Sequence, residues 1–194
     1  ARTTALSFYI ALIEMITIPD ISDYYNNYDI LLLLFAIFFV DVIVVFLVRY
    51  FPVFFGKTLN DWYNNFGFTA ILSDVLIILL GFVIARYIYT TWIKPTYGWN
   101  PFIFLALLVA IQIVHDILFY IAIILPIPIG HNEVIDLFKK YSRAGPKIIG
   151  GDALLMLASA LVAFYYKSQP AHVAVTASVF ALYNATYILY TKPL

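Results

Sequence analysis

The sequence predicts an all-α integral membrane protein, a bundle of about five transmembrane helices with an amphipathic helix at the N-terminus. Three observations carry that expectation. The residues A, V, I, L, M, F, W, Y and C make up 64% of the 194 residues, while only 11% are charged. A soluble domain of this length carries about a quarter charged residues to cover its surface. The few charges here stand at the edges of long apolar runs, and aromatics reach 19%, with 16 Tyr and 17 Phe, as expected of rings at headgroup depth.

Residues 1–29 form an N-terminal segment. Within it, Ala5 to Ile18 reads as a helix lying in the interface or packed on the bundle, since it is short for a span and contains Glu14; a sixth span is the lesser alternative. The start, Ala-Arg-Thr-Thr, lacks the pattern of a cleavable signal peptide, so targeting is expected to rest on the first span. Residues 30–194 form the bundle. A bilayer core about 30 Å thick needs roughly 20 apolar residues per helix, and five stretches qualify: 30–48, ending at Arg49; 68–88; 102–125, halted by Pro126 and Pro128; 148–166; and 171–190. Period-two alternation is absent, and unpaired strand backbone cannot face lipid. Nor does an internal repeat point to a transporter built from two related halves.

Two connections have character of their own. The stretch Arg49 to Phe66 holds Tyr50, Phe51, Phe54, Phe55, Trp62 and Tyr63, and reads as a loop in the headgroup zone. Asn132 to Arg143 reads as a short amphipathic helix. Asn132 caps it, Val134, Ile135, Phe138 and Tyr141 form its apolar face, and Gly145-Pro146 ends it. Lys139, Lys140 and Arg143, with Lys147 beyond, make a basic patch for docking a neighbouring layer or for lipid headgroups. Five spans put this patch, the 49–66 loop and the C-terminus on one face. Of the 11 Lys and Arg, seven lie there (Arg49, Lys57, Lys139, Lys140, Arg143, Lys147, Lys192) and four lie on or near the other (Arg2, Arg86, Lys94, Lys167). The basic face is therefore expected to be cytoplasmic.

Polar residues inside the spans are the informative positions. Asp41, Asp74, Gln112, His115, Asp116 and Asp152 form a candidate intramembrane cluster. Asp74 and Asp152 come early in spans that start on the basic face, and His115 and Asp116 late in one that ends there, so the cluster belongs to that leaflet. Gln112 and Asp116 are four apart, with His115 three from Gln112, which makes one helical stripe. Ala70, Asp74, Gly81 and Ala85 share a side of the second span, as do Ala174, Ser178, Ala181 and Ala185 of the fifth, with Asn184 nearby. Three readings compete. In the first, the acids hydrogen-bond between helices, protonated or paired with His115 or Arg86. In the second they line a proton or cation pathway. In the third, Asp116 and Asp152 form a proteolytic pair. Ile149-Gly150-Gly151-Asp152 is similar to the Gly-x-Gly-Asp motif of intramembrane aspartyl proteases, but the first Gly is missing, His115 stands in place of Tyr, and no Pro-Ala-Leu follows. Asp152 alternatively caps a short fourth helix.

Other functions find no support in these residues. Net charge is zero, which argues against nucleic acid as a partner. With no Cys there is no thiolate ligand or nucleophile. His131 and His172 stand alone near loops, no Ser-His-Asp set or phosphate loop is visible, and the last span has no Lys for a retinal Schiff base. The expectation is a protein with no enzymatic activity, no metal and no cofactor.

Three blocks also carry a resemblance: Ile111-Gln112-Ile113-Val114-His115-Asp116-Ile117-Leu118-Phe119-Tyr120, Asp136-Leu137-Phe138-Lys139-Lys140-Tyr141 and Gly151-Asp152-Ala153-Leu154-Leu155-Met156. They resemble blocks in multi-spanning membrane proteins of giant (nucleocytoplasmic large) DNA viruses, over a stretch from about Asp61 to Lys167. The resemblance attaches no catalytic residue to them. It implies a place in the virion's internal membrane, derived from a host membrane, beneath an icosahedral capsid. It also implies capsid or membrane proteins of the virion as partners beside the lipid bilayer, and a structural role linking bilayer and capsid.

Overall fold

The computed structural model describes residues 18–192, except for the side chains of Ala144 and Pro146. The helix expected from Ala5 lies outside the described residues save for Ile18. Asn26 opens the first span, α1 (Asn27–Tyr50), by accepting a hydrogen bond from the Tyr28 amide. Asp29 in its first turn and Arg49 in its last complement the helix dipole. Short α2 (Pro52–Phe55) and amphipathic α3 (Lys57–Phe66) follow. The second span, α4 (Phe68–Ile88), continues through a π turn at Tyr89–Ile93 into α5 (Lys94–Tyr97). Asn100 caps α6 (Pro101–Phe119) by accepting from the Phe102 and Ile103 amides, and a second π turn carries that span to Ile124. Helix α7 (Glu133–Tyr141) lies beside the membrane. Then α8 (Pro146–Ser168) and α9 (Ala171–Leu189) complete five helices long and apolar enough to cross a bilayer. The chain is thus an all-helical, multi-pass membrane protein, with no strand among the described residues.

Helices α1, α8, α6 and α4 close a four-helix ring, each packed on the next, while α9 lies outside it against α1. At mid-span Met156 of α8 reaches across to α4. A Cβ added to Gly81 would lie 2.6 Å from its Cε, so glycine there leaves room for the thioether. The small stripes on α4 and α9 face inward: Ala70, Gly81 and Ala85 are buried on α4, and Ala174, Ser178, Ala181 and Ala185 on α9.

The expected boundaries need three corrections. The 49–66 stretch is not a loop. Asn60, Trp62 and Tyr63 form the buried face of α3, and only Val53 and Phe54 of α2 project almost fully. The second span does not stop near residue 88 but runs to Tyr97, 30 residues or roughly 45 Å, longer than the hydrocarbon core. Asp152 is not an N-cap, because α8 starts at Pro146, after Gly145 turns the chain with φ 63°.

The overhang of α4 and α5 supports a strap made by residues 18–26. Arg86 donates to the carbonyls of Asp23 and Asn26, Thr90 Oγ1 donates to the Ser22 carbonyl (2.7 Å), and Trp99 Nε1 to that of Ile18 (2.8 Å). Lys94 pairs with Asp20 at 2.6 Å, and Lys167 with the fully buried Asp29 at 2.7 Å. Burial pushes the Asp20 carboxyl up, but the Lys94 ammonium and the Ser22 hydroxyl and amide outweigh it and hold the group below the usual carboxylate range. Beneath the strap, Tyr89, Trp99, Phe104 and Phe164 pack edge-on or tilted, with ring centroids 5.4 to 6.1 Å apart. That half of the bundle is filled by aromatic rings.

Candidate functional site

The opposite half contains the acids. Counting 1.5 Å per residue from the helix ends on the basic face, Asp74 and Asp152 lie roughly 9 Å deep, Asp116 roughly 12 Å and Asp41 roughly 14 Å. Trp62 Nε1 of α3 donates to Asp74 Oδ2 at 2.9 Å, and the Tyr63 hydroxyl approaches the same oxygen at 3.4 Å. On α6, Gln112 Nε2 donates to Asp116 Oδ1 at 2.8 Å, and His115 Nδ1 lies 3.2 Å from that oxygen. The His115 ring stacks on Phe119, tilted by 15°. Asp41 is fully buried, and neither of its oxygens has a partner among the described residues; the same holds for Asp116 Oδ2.

Two phenols from outside the spans lie among these acids. Burial pushes the Tyr63 hydroxyl well above its ordinary range, and the charges of Asp41 and Asp74 with its hydrogen bond to Asp74 push the same way. The Tyr141 hydroxyl of α7 is pushed up to about 12, first by burial and then by the charges of Asp152, Asp74 and Asp116. Both phenols therefore keep their protons at any pH the protein meets. Tyr63 and Tyr141 form a roof beside four carboxylates contributed by α1, α4, α6 and α8.

Sequence comparison adds nothing to this geometry. No protein family, no curated protein and no solved structure matches the chain.

The structure places the expected acids in the same half of the bundle, with one correction. Arg86 does not reach them, being committed to the strap carbonyls in the other half. Asp116 is bonded to Gln112 and His115 of its own helix. No three of the described His, Asp and Glu side chains come close enough to hold a metal ion. Sequence reasoning missed Trp62, Tyr63 and Tyr141. Their signal was present, since amphipathic α3 aims two aromatic donors at the second span and amphipathic α7 places Tyr141 near the acids.

The basic patch is divided by the structure. Lys140, Arg143 and Lys147 are exposed. Lys139 instead turns back and donates to the carbonyls of Leu125 and Ile127, the chain ends left open where α6 stops. With the Asp136 carboxylate accepting from the Gly130 amide (2.9 Å) and Phe138 resting on Trp62 (ring centroids 5.0 Å), it clamps α7 over the acids. Lys139→Gln is expected to lower bundle stability by about 1.5 kcal/mol, the value of a hydrogen bond to a charged group. Lys140→Gln should change it by less than about 0.5 kcal/mol. Thermal unfolding of the two variants in one detergent checks the contrast.

Asp116→Asn keeps an acceptor for Gln112, its i,i+4 partner on the same helix, and should cost less than about 0.5 kcal/mol. Asp116→Leu leaves the Gln112 amide without its acceptor and should cost more, about 1–3 kcal/mol.

Proposed function

We propose that this protein is a structural, non-enzymatic component of a membrane, presenting a basic face to an anionic layer beside it. One observation carries the reading. Among the described residues Lys57, Lys140, Arg143, Lys147 and Lys192 are exposed and make no ion pair, and all stand on one face. On the other face Arg86, Lys94 and Lys167 are occupied by the strap. Among the described residues, the cations of one surface are open and those of the other are bonded within the fold. Each basic residue near an anionic surface contributes about 1 kcal/mol.

The three sequence blocks that resemble membrane proteins of giant DNA viruses support a finer reading. In it the membrane is the internal one of a virion, the basic face is topologically cytoplasmic, and the layer beside it is the capsid. Stoichiometric recovery of the protein from purified virions is the expected result, and its absence would overturn this setting. Replacing Lys140, Arg143 and Lys147 with Gln should weaken attachment to the adjoining layer roughly hundred-fold. The bundle should unfold as before. Co-flotation of variant and wild type with capsid layers reads the effect, and equal attachment would count against docking by this face.

A further inference from the structure

Helix α9 is the edge of the bundle and the least hydropathic of the five spans. Among the described residues it buries Ala174, Ser178, Ala181, Ala185 and Leu189, and its other positions are half-buried or exposed. On that outer side Val179, Phe180, Tyr183 and Tyr187 are 62, 65, 62 and 61% exposed. Tyr183 and Tyr187 stand one turn apart with their hydroxyls 3.2 Å from each other. Asn184, half-buried beside them, donates from Nδ2 to the Phe180 carbonyl, while no hydrogen bond from the described residues reaches its Oδ1.

Tyrosines near a span end ordinarily belong to the headgroup belt. Tyr187, two residues from the end of α9, fits that rule, whereas its neighbours lie deeper. Tyr183 and Asn184 are roughly 8 to 9 Å inside the end at Leu189. Side chains on a helix lean toward its N-terminus. The N-terminus of α9 is on the far side of the membrane, so these side chains lean toward mid-bilayer, away from the nearer headgroups. A carboxamide oxygen held in hydrocarbon, as that of Asn184 is, is costly without a donor, and contacts between spans are the usual way such groups are satisfied.

We propose that this face of α9 docks a second copy of the chain, side by side at equal depth. Hydroxyl and carboxamide groups both donate and accept, so the set Tyr183, Asn184 and Tyr187 complements itself. A two-fold axis along the membrane normal brings each set to the depth of its twin, as an isologous contact requires. The face has no Asp, Glu, Lys or Arg between Ala171 and Thr191, so no like charges oppose self-association, and a charged partner helix would find nothing to pair with.

The full chain contains no cysteine, which makes the test clean. Val179→Cys and Phe180→Cys on α9 are compared with Leu154→Cys and Leu161→Cys on α8, where the side chains are 68 and 59% exposed. Oxidation in liposomes at low protein density should yield covalent dimers from the α9 variants and not from the α8 variants. Asn184→Leu, which removes a symmetric pair of contacts, should weaken the dimer roughly seven-fold. Tyr187→Phe, which preserves shape, should weaken it roughly three-fold or more. Equal cross-linking on both helices, no cross-linking on α9, or an undiminished dimer in both variants would overturn the proposal. So would a cross-link in the native membrane that joins α9 to a different protein in place of its own copy.

Discussion

Asp41→Leu is expected to raise the stability of the bundle, and Asp74→Leu to lower it. The two acids neighbour one another under the same roof, yet their bonding differs. Asp41 is fully buried with both oxygens unpartnered, so it carries the desolvation cost of a polar group with no hydrogen bond in return. A leucine of similar size removes that cost, with an expected gain of about 1–3 kcal/mol. Asp74 accepts from Trp62 and is approached by Tyr63. Its replacement leaves the indole N–H and a buried phenol without their acceptor, a loss of about 1–3 kcal/mol for each orphaned donor. Thermal unfolding in one detergent measures both, and opposite signs are the result to look for. A clear loss of stability in Asp41→Leu would show that Asp41 has a partner in the membrane, such as a proton relay. The same preparations therefore belong in a proton-flux assay. No flux above protein-free liposomes is expected from wild type or from Asp41→Asn. Flux in wild type that disappears in the Asn variant would replace the structural reading with conduction.

A second large effect is expected from Arg86→Met. Arg86 is fully buried and holds two strap carbonyls, with the acids of the 20–29 stretch as its nearest charges. Losing a charged donor costs about 1.5–3 kcal/mol for each hydrogen bond broken, and two are broken here. Lys94→Gln should cost less than about 1 kcal/mol, because its ion pair with Asp20 is partly open to water. A single cysteine at Ser22, fully buried under the strap, reports the difference. It should resist a membrane-impermeant maleimide in the parent and in Lys94→Gln, and react readily in Arg86→Met. Protection that survives Arg86→Met would mean that Thr90, Trp99 and Lys167 suffice to hold the strap.

These two sites also mark what the sequence could and could not disclose. The spans were legible because apolar length against a bilayer is a one-dimensional signal, and each expected stretch lies largely within an observed helix. The inward stripes of α4 and α9 were legible because helical period maps spacing directly onto a face. The acid cluster was legible because a carboxylate in a span has few places to go. Partners were not. Trp62 and Asp74 are twelve residues apart on different helices, and Lys167 lies 138 residues from Asp29. No local period encodes such pairings. Lys139 and Lys140 are neighbours of identical chemistry, and only the position of the open carbonyls at Leu125 and Ile127 decides which is structural. Arg86 was expected to serve the acids because both lie within spans. Depth along alternating helices puts them in opposite halves.

The pairing of Asp29 with Lys167 has a consequence for biogenesis. At a translation speed of about 5–20 residues per second, the ribosome needs roughly 7 to 28 s to make the chain between the two residues. Throughout that interval the first span carries an acid at its head whose cation has not yet been synthesised. The helix must wait at the rim of the bilayer, or within the shelter of an insertion machine, until α8 arrives. Assembly of the finished bundle is thereby tied to completion of its fourth span: a chain truncated before Lys167 should remain with the insertase and be open to quality-control proteolysis.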